Sequence, residues 1–390
     1  MEFLPQELVQ AIVHEIDDIP SLKACALAGP MFRGASQRVL LSSLTLRRRN
    51  AKTAYARFIE SPHIAAYITR LRIWLEPIAV DGDNLPQSSN LQPILDKLMN
   101  VRECAMTLNS PLRRISNFFF DFLARQPLRK MIVTRSIALS DSILGLLAIA
   151  PVICFADVVM IENDYSVLAS GDPDPGPLLL DNNLQYTPRV EELIFDDVVD
   201  PIFYERLAHP KIKLGSTLRR LSLMQAEYAV VHSPQFMSVV APTLEHLCLG
   251  GVADFFALPM LPSLCSIGFH SFHHWNLWLP NVILDVARTS PLLVDIAVSF
   301  LYSLPLVPNE VLTILDVALA AHPKHPVLRW RVDLRSAPGN ESGDATVFAQ
   351  FASGIQTAMP RTNEEGRVVL EKYDYDQEFG QLSGNPRYLV

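Results

Sequence analysis

A spacing of apolar, two residues, apolar, one residue, apolar recurs ten times along the chain. It starts at Ile68 (with Leu71 and Ile73), Val101, Leu128, Phe155 and Val190, and again at Leu218, Leu244, Leu264, Leu293 and Val327. The last two apolar positions flank one outward residue, the period-two signature of a strand with one buried face. Successive starts lie 20 to 35 residues apart, about 29 on average. Between them fall segments of helical period: Ala51–Glu60, Leu91–Asn100, Ile115–Arg125, Asp141–Ile149, Pro201–Ala208, Pro234–Ala241, Asn281–Thr289 and Asn309–Ala321. Prolines such as Pro127, Pro210, Pro242 and Pro262 stop these helices, because the residue before a proline is pushed out of helical conformation. Strand, turn, helix and turn make one solenoid unit, which cannot bury its apolar face alone and must stack on its neighbours. The pattern therefore predicts an α/β fold over residues 47–376, a solenoid with parallel strands on a concave side and helices on a convex side. A terminal strand over Val368–Tyr375 would cap it. Polar, Gly- and Pro-rich stretches predict loops near 81–90, 170–177 and 336–344, and residues 377–390 read as a flexible tail.

Residues 1–46 follow a different rhythm. Leu8, Ile12 and Ile16 stand four apart, which predicts one apolar face of a helix, with Pro5 in its first turn. Pro20-Ser21 opens a second helix carrying Leu22, Cys25 and Leu27, and Gly29-Pro30 breaks it. A third helix carries Met31, Phe32, Ala35, Val39 and Leu40, and the strand-like Leu44–Leu46 follows. Three short helices bury little area for their length, so a generous apolar face on so small a unit suits docking.

The segment from Leu4-Pro5 through Glu7-Leu8, Ile12, Ile16-Asp17-Asp18, Leu22, Cys25-Ala26-Leu27, Phe32 and Leu40 to Leu46 resembles the F-box, in the form found in fungal F-box proteins. The repeats beginning Leu218, Leu244 and Leu264 look like the irregular leucine-rich repeats that often follow it. The resemblance implies a substrate-recognition subunit of an SCF-type cullin-RING ubiquitin ligase. Leu4, Pro5, Leu8, Ile12, Ile16, Leu22 and Phe32 would then contact a Skp-type adaptor, and through it a cullin. The repeat surface would hold a protein substrate, and the transfer chemistry would belong to other subunits. The alternative is a non-catalytic repeat scaffold in which the opening helices only cap the solenoid.

By strand alternation the outward residues are Arg70, Arg72 and Trp74, then Lys130, Glu192, Asp196, Arg220, His246 and His270, then Arg329 and Arg331. Their charge runs basic, acidic and basic again, and Trp and Arg are the residue types that tend to anchor protein partners. The net charge of −8 argues against general nucleic-acid binding, which calls for a basic stripe. With 49% hydrophobic and 19% charged residues, the chain can fill a large core. Five scattered cysteines (25, 104, 154, 248 and 265) form no Cys-x-x-Cys pair, and the opening Met1-Glu2 is acidic, so a cytoplasmic or nuclear protein with reduced thiols is expected. The longest uncharged run, 142–156, is broken by Pro151 and predicts core rather than a membrane span. His270, His273 and His274 read as loop histidines, because no further ligand stands near enough to complete a zinc site. No phosphate-binding glycine loop, nucleophile elbow or zinc-protease motif occurs. The expectation is a non-enzyme that needs no cofactor or metal.

Overall fold

The computed structural model describes residues 4–47, 49–75, 91–108, 117–139, 141–160, 187–196, 199, 201–224, 233–251, 257–271, 279–301, 309–333 and 343–372. The loops expected near 81–90 and 170–177, most of that at 336–344, and the tail at 377–390 lie outside these residues. The chain divides into two compact units, Met1–Ala150 and Pro151–Val390.

The first unit opens on α1 (Gln6–His14), α2 (Ile19–Ala28) and α3 (Pro30–Leu40), the three helices expected there. Asp18 caps α2: its carboxylate accepts the Ser21 N–H at 2.8 Å, and that bond holds the Asp18 carboxyl below the usual range. Four strands follow: β1 (Ser43–Leu46), β2 (Arg70–Leu75), β3 (Glu103–Leu108) and β4 (Lys130–Leu139). Each pairs in parallel with the next. Between them stand α4 (Ala51–Glu60), α5 (Leu91–Leu95) and α6 (Asn117–Arg125). In-register pairing brings Leu71, Cys104 and Met131 side by side, and then Ile73, Met106 and Val133. All six are buried. The Gln126 amide joins two repeats, donating to the Leu98 carbonyl at 2.8 Å and accepting from the Val101 N–H at 3.2 Å.

The second unit carries β5 (Val152–Met160), β6 (Glu192–Phe195), β7 (Arg220–Leu223), β8 (His246–Gly250), β9 (Ser266–Ser271), β10 (Asp295–Leu301), β11 (Val327–Asp333) and β12 (Val368–Lys372). They too lie parallel, in chain order. Helices α7 (Pro201–Leu207), α8 (Pro234–Val240), α9 (Leu279–Thr289), α10 (Asn309–Ala320), α11 (Gly343–Ala358) and α12 (Pro360–Glu364) fill the connections. Proline opens α7, α8 and α12, where its missing N–H costs no helical bond. The core holds an aromatic cluster: Phe195 lies 5.8 Å from Phe155, 5.0 Å from Tyr204 and 6.3 Å from Phe236, measured between ring centroids. At the far end the buried Asp316 carboxylate accepts the Thr362 hydroxyl at 2.6 Å and the Thr362 N–H at 2.8 Å, tying α12 to α10. Arg367 donates to the Leu319 and Pro326 carbonyls, both at 3.2 Å, and closes the turn before β12.

Five expectations need correction. In β11, Leu328 pairs with Ile296 and Trp330 with Val298, so the buried Leu328 and Trp330 hold the last two positions of this repeat's triplet, and Val327 does not start it. In β5, Ile153 pairs with Leu193 and Phe155 with Phe195, so Phe155 ends its triplet (with the buried Ala150 as first member) instead of starting one. Continuous apolar sequence from Ala148 onward hides that frame. Asp157, at a left-handed φ of 56°, lies beyond the regular ladder with β6, and pairing resumes only as a Val158–Val199 bridge. Residues 141–148 form 3₁₀ turns, not an α-helix. Finally, α11 was not anticipated, and Gly343 and Asp344 belong to it rather than to a loop.

Candidate interaction surfaces

On α1 the apolar residues divide between two faces. Val9 and Val13 are fully buried and pack with Leu22 of α2. Leu8 and Ile12, also four apart and therefore on one face, are 51% and 48% exposed, and Leu4 is 47% exposed. Pro5 is exposed as well. Ile16 and Phe32 are half-buried against the Val9–Val13–Leu22 cluster. The seven residues expected to contact an adaptor thus separate into an outer set (Leu4, Pro5, Leu8, Ile12) and an inner set (Ile16, Leu22, Phe32). The reason is local: α1 ends at His14, so Ile16 no longer follows the helical stripe and turns inward. Three further exposed apolar residues of these helices are not among the expected adaptor contacts: Ile19, Leu27 and Met31. Leu27 is 84% exposed, and only its helix partners' burial would have revealed that.

The second surface is the face of the sheet opposite the buried triplets. In the second unit, register lines up Glu192, Arg220, His246, Ser266 and Asp295 in one row. The next row is Ser222, Cys248, Gly268, Ala297 and Arg329. Four small side chains in series leave a hollow of about 200 Å³ beside the polar row. A Cβ on Gly268 would meet Cys248 Sγ at 3.6 Å and His270 Nε2 at 3.7 Å, so glycine keeps this floor low. His246 Nδ1 and Ser266 Oγ share a hydrogen bond of 2.6 Å.

The expected blocks of charge are locally neutralised. Arg220 stands 3.7 Å from Glu192, Arg329 lies 2.9 Å from Asp295 and 3.6 Å from Glu371, and Arg331 lies 3.4 Å from Glu371. In the first unit Arg70 is 3.9 Å from Glu103, and Arg47 covers the Trp74 ring at 4.6 Å. Arg72 and Lys130 are partly exposed on the same face. The carboxylate partners sit on neighbouring strands about a repeat away, so only the register discloses them. Exposed pairs of this kind stabilise weakly, by ~0–1 kcal/mol each, and leave the side chains able to exchange partners. Asp196 and His270, expected to face outward, are 8% and 7% exposed and offer no contact surface. Both lie at the C-terminal ends of their strands, where the face is covered, while the N-terminal rows stay open.

The chain matches no protein-family model and no curated protein. No helix among the described residues is long and apolar enough to cross a membrane. Among the described residues no group of three or more His, Cys, Asp or Glu is arranged to hold a metal ion, and His273 and His274 lie outside them. Burial pushes the Cys104 thiol up to about 12, so it stays protonated and is a packing group.

His270 carries a pH dependence. Desolvation, with the Arg331 charge facing it, lowers its pKa from 6.5 to about 4. The folded state therefore keeps His270 neutral above about pH 4, whereas the unfolded chain takes up a proton near pH 6.5. Stability from this group is full above pH 6.5 and is lost as pH falls toward 4. Between pH 7 and 5 the urea midpoint is expected to drop by the equivalent of about 2 kcal/mol. His270→Gln should flatten that slope; an unchanged slope would show that other groups set it.

Proposed function

We propose that this chain is the substrate-recognition subunit of an SCF-type cullin-RING ubiquitin ligase. Its three opening helices form an F-box that binds a Skp-type adaptor. The parallel strands that follow form a leucine-rich-repeat-like solenoid, whose open face holds a protein substrate. The reading rests foremost on Leu8 and Ile12: both stay about half exposed on a helix whose other apolar face is sealed. A scaffold whose opening helices served only as a cap would bury them. The polar rows and the small-residue hollow of the second unit supply a mixed surface of the kind that protein partners use. Residues of the open face that remain accessible (Arg70, Arg72, Trp74, Lys130, Glu192, Arg220, His246, Arg329 and Arg331) are the candidates for substrate contact. Work in the cytoplasm or nucleus follows from that role, and no cofactor is called for.

The test is direct. Mixed with a purified Skp-type adaptor, the intact chain is expected to co-elute with it on size exclusion as a one-to-one complex. The same adaptor-bound chain, recovered from cells, should bring down a cullin and candidate substrates identifiable by mass spectrometry. Separate elution at micromolar concentrations would sink the reading.

A further inference from the structure

A second cavity lies wholly within the first unit and is much larger than the hollow on the sheet. It occupies about 870 Å³ between α1 and α3 on one side and the starts of β2, β3 and β4 on the other. That volume is within the ~300–1,000 Å³ common to small-ligand sites. Its walls carry four arginines: Arg38 from α3, and Arg70, Arg102 and Arg129 from the strand starts. The backbone places two of them together. The Arg129 N–H donates to the Arg102 carbonyl at 2.7 Å, so these residues are neighbours across the β3–β4 ladder, ~5 Å apart along the hydrogen-bond direction. Arg38 faces the same space from the helical wall, with its guanidinium 5.9 Å from the Tyr67 ring centroid.

Charge in the cleft is unbalanced. Two carboxylates line it, Asp17 and Glu103, against the four arginines. Glu103 reaches only Arg70, at 3.9 Å, and both side chains of that pair are about half exposed. Among the described residues, no carboxylate lies within ion-pair distance of Arg38, Arg102 or Arg129. Three arginines thus line one cavity with no carboxylate in ion-pair contact, while elsewhere on the strands Arg220, Arg329 and Arg331 each have one. Like charges brought together this way repel and are tolerated because water and salt screen them. A bound anion removes that cost.

We propose that this cleft binds a ligand carrying two or more phosphate groups. A phosphate bears about −1.5 to −2 charges at neutral pH and three acceptor oxygens, which match the planar fork of arginine. Arg102 and Arg129 grip one phosphate from adjacent strands, and Arg38 takes a second from the opposite wall. Single carboxylates, which Asp17 and Glu103 already supply, do not meet that demand. Tyr67, Ile16 and Val39 give the ligand's carbon body an apolar seat. The cleft shares Arg70 with the open sheet face and Ile16 and Leu22 with the inner set of expected adaptor contacts, but not the exposed Leu8 and Ile12 of α1.

Isothermal titration of the intact protein with tripolyphosphate at low ionic strength tests it. One binding site is expected, weakened by added salt. Arg102→Gln with Arg129→Gln should weaken binding at least tenfold. Arg219→Gln, an exposed arginine of the second unit that pairs with Glu245 at 3.7 Å, should leave it unchanged. Both arginines of the double variant are exposed, so its circular dichroism melt should match the parent. No binding, or equal binding by parent and double variant, overturns the proposal. Competition with a doubly phosphorylated serine peptide identifies the source. Displacement by that peptide, and not by its unphosphorylated twin, assigns the phosphates to a protein ligand; failure to displace assigns them to a small molecule. Both of these results uphold the site.

Discussion

Replacing Phe195 with Ala is expected to destabilise the second unit by about 3–5 kcal/mol, the range for removing a large aromatic side chain from a core. Phe195 is 1% exposed and sits at the centre of the aromatic cluster. Its ring is stacked on Phe155, within 5.0 Å of Tyr204, and edge-on to Phe203 and Phe236 at 6.2 and 6.3 Å. These partners come from β5, α7 and α8, so one side chain joins successive strand–helix segments. In a stacked architecture, stability is a sum of weak units and the contacts between neighbours. Loss of a shared ring therefore weakens more than one contact. The urea midpoint followed by far-ultraviolet circular dichroism should fall accordingly, while Phe195→Leu, which keeps most of the volume, should cost less than about 1.5 kcal/mol. A shift below ~1 kcal/mol for the alanine variant would mean that the cluster collapses around the gap and does not couple the segments.

The strand–helix repeat was legible in sequence because burial on one face demands apolar side chains at fixed spacing. Leu71, Cys104, Met131, Leu221, Leu247, Ile267 and Ile296 are all inside, and each is marked by that spacing. Where composition blurs the spacing, the reading slipped. β5 is apolar on both sides of its strand, so its frame could be set only by pairing with β6. Helix α11 is rich in Ala, Thr, Ser and Gly; of its residues Phe351, Ile355 and Ala358 are buried, a stripe too sparse to stand out. The surfaces were less legible than the core. That Arg329 meets both Asp295 and Glu371 depends on register across three strands. The inward turn of Ile16 depends on where α1 stops. The arginine cleft joins residues 38, 70, 102 and 129, which no local pattern relates; it exists because repeat starts align in space.

Changing both Leu8 and Ile12 to Asp is expected to abolish adaptor binding while leaving the fold intact, because both side chains are open to solvent in the free chain. They are about half exposed, so an aspartate at either position meets water in the free chain and should not disturb the Val9–Val13–Leu22 cluster. In a complex the same positions would be covered. Fully burying a Leu or Ile side chain contributes about 1.5–3 kcal/mol, of which about half remains to be gained by side chains already half buried, so losing two such contacts corresponds to a loss of roughly 10- to 150-fold in affinity. The penalty for desolvating two unpaired carboxylates adds to this. Val9→Asp is the necessary contrast: it places a charge inside the three-helix cluster and should lower the melting temperature, so its loss of binding carries no information about the interface. Surface plasmon resonance on immobilised adaptor, read beside circular dichroism melts of each variant, separates the two effects. If the Leu8–Ile12 double variant bound as tightly as the parent, the exposed stripe of α1 would not be the docking face, and the ligase reading would lose its main support.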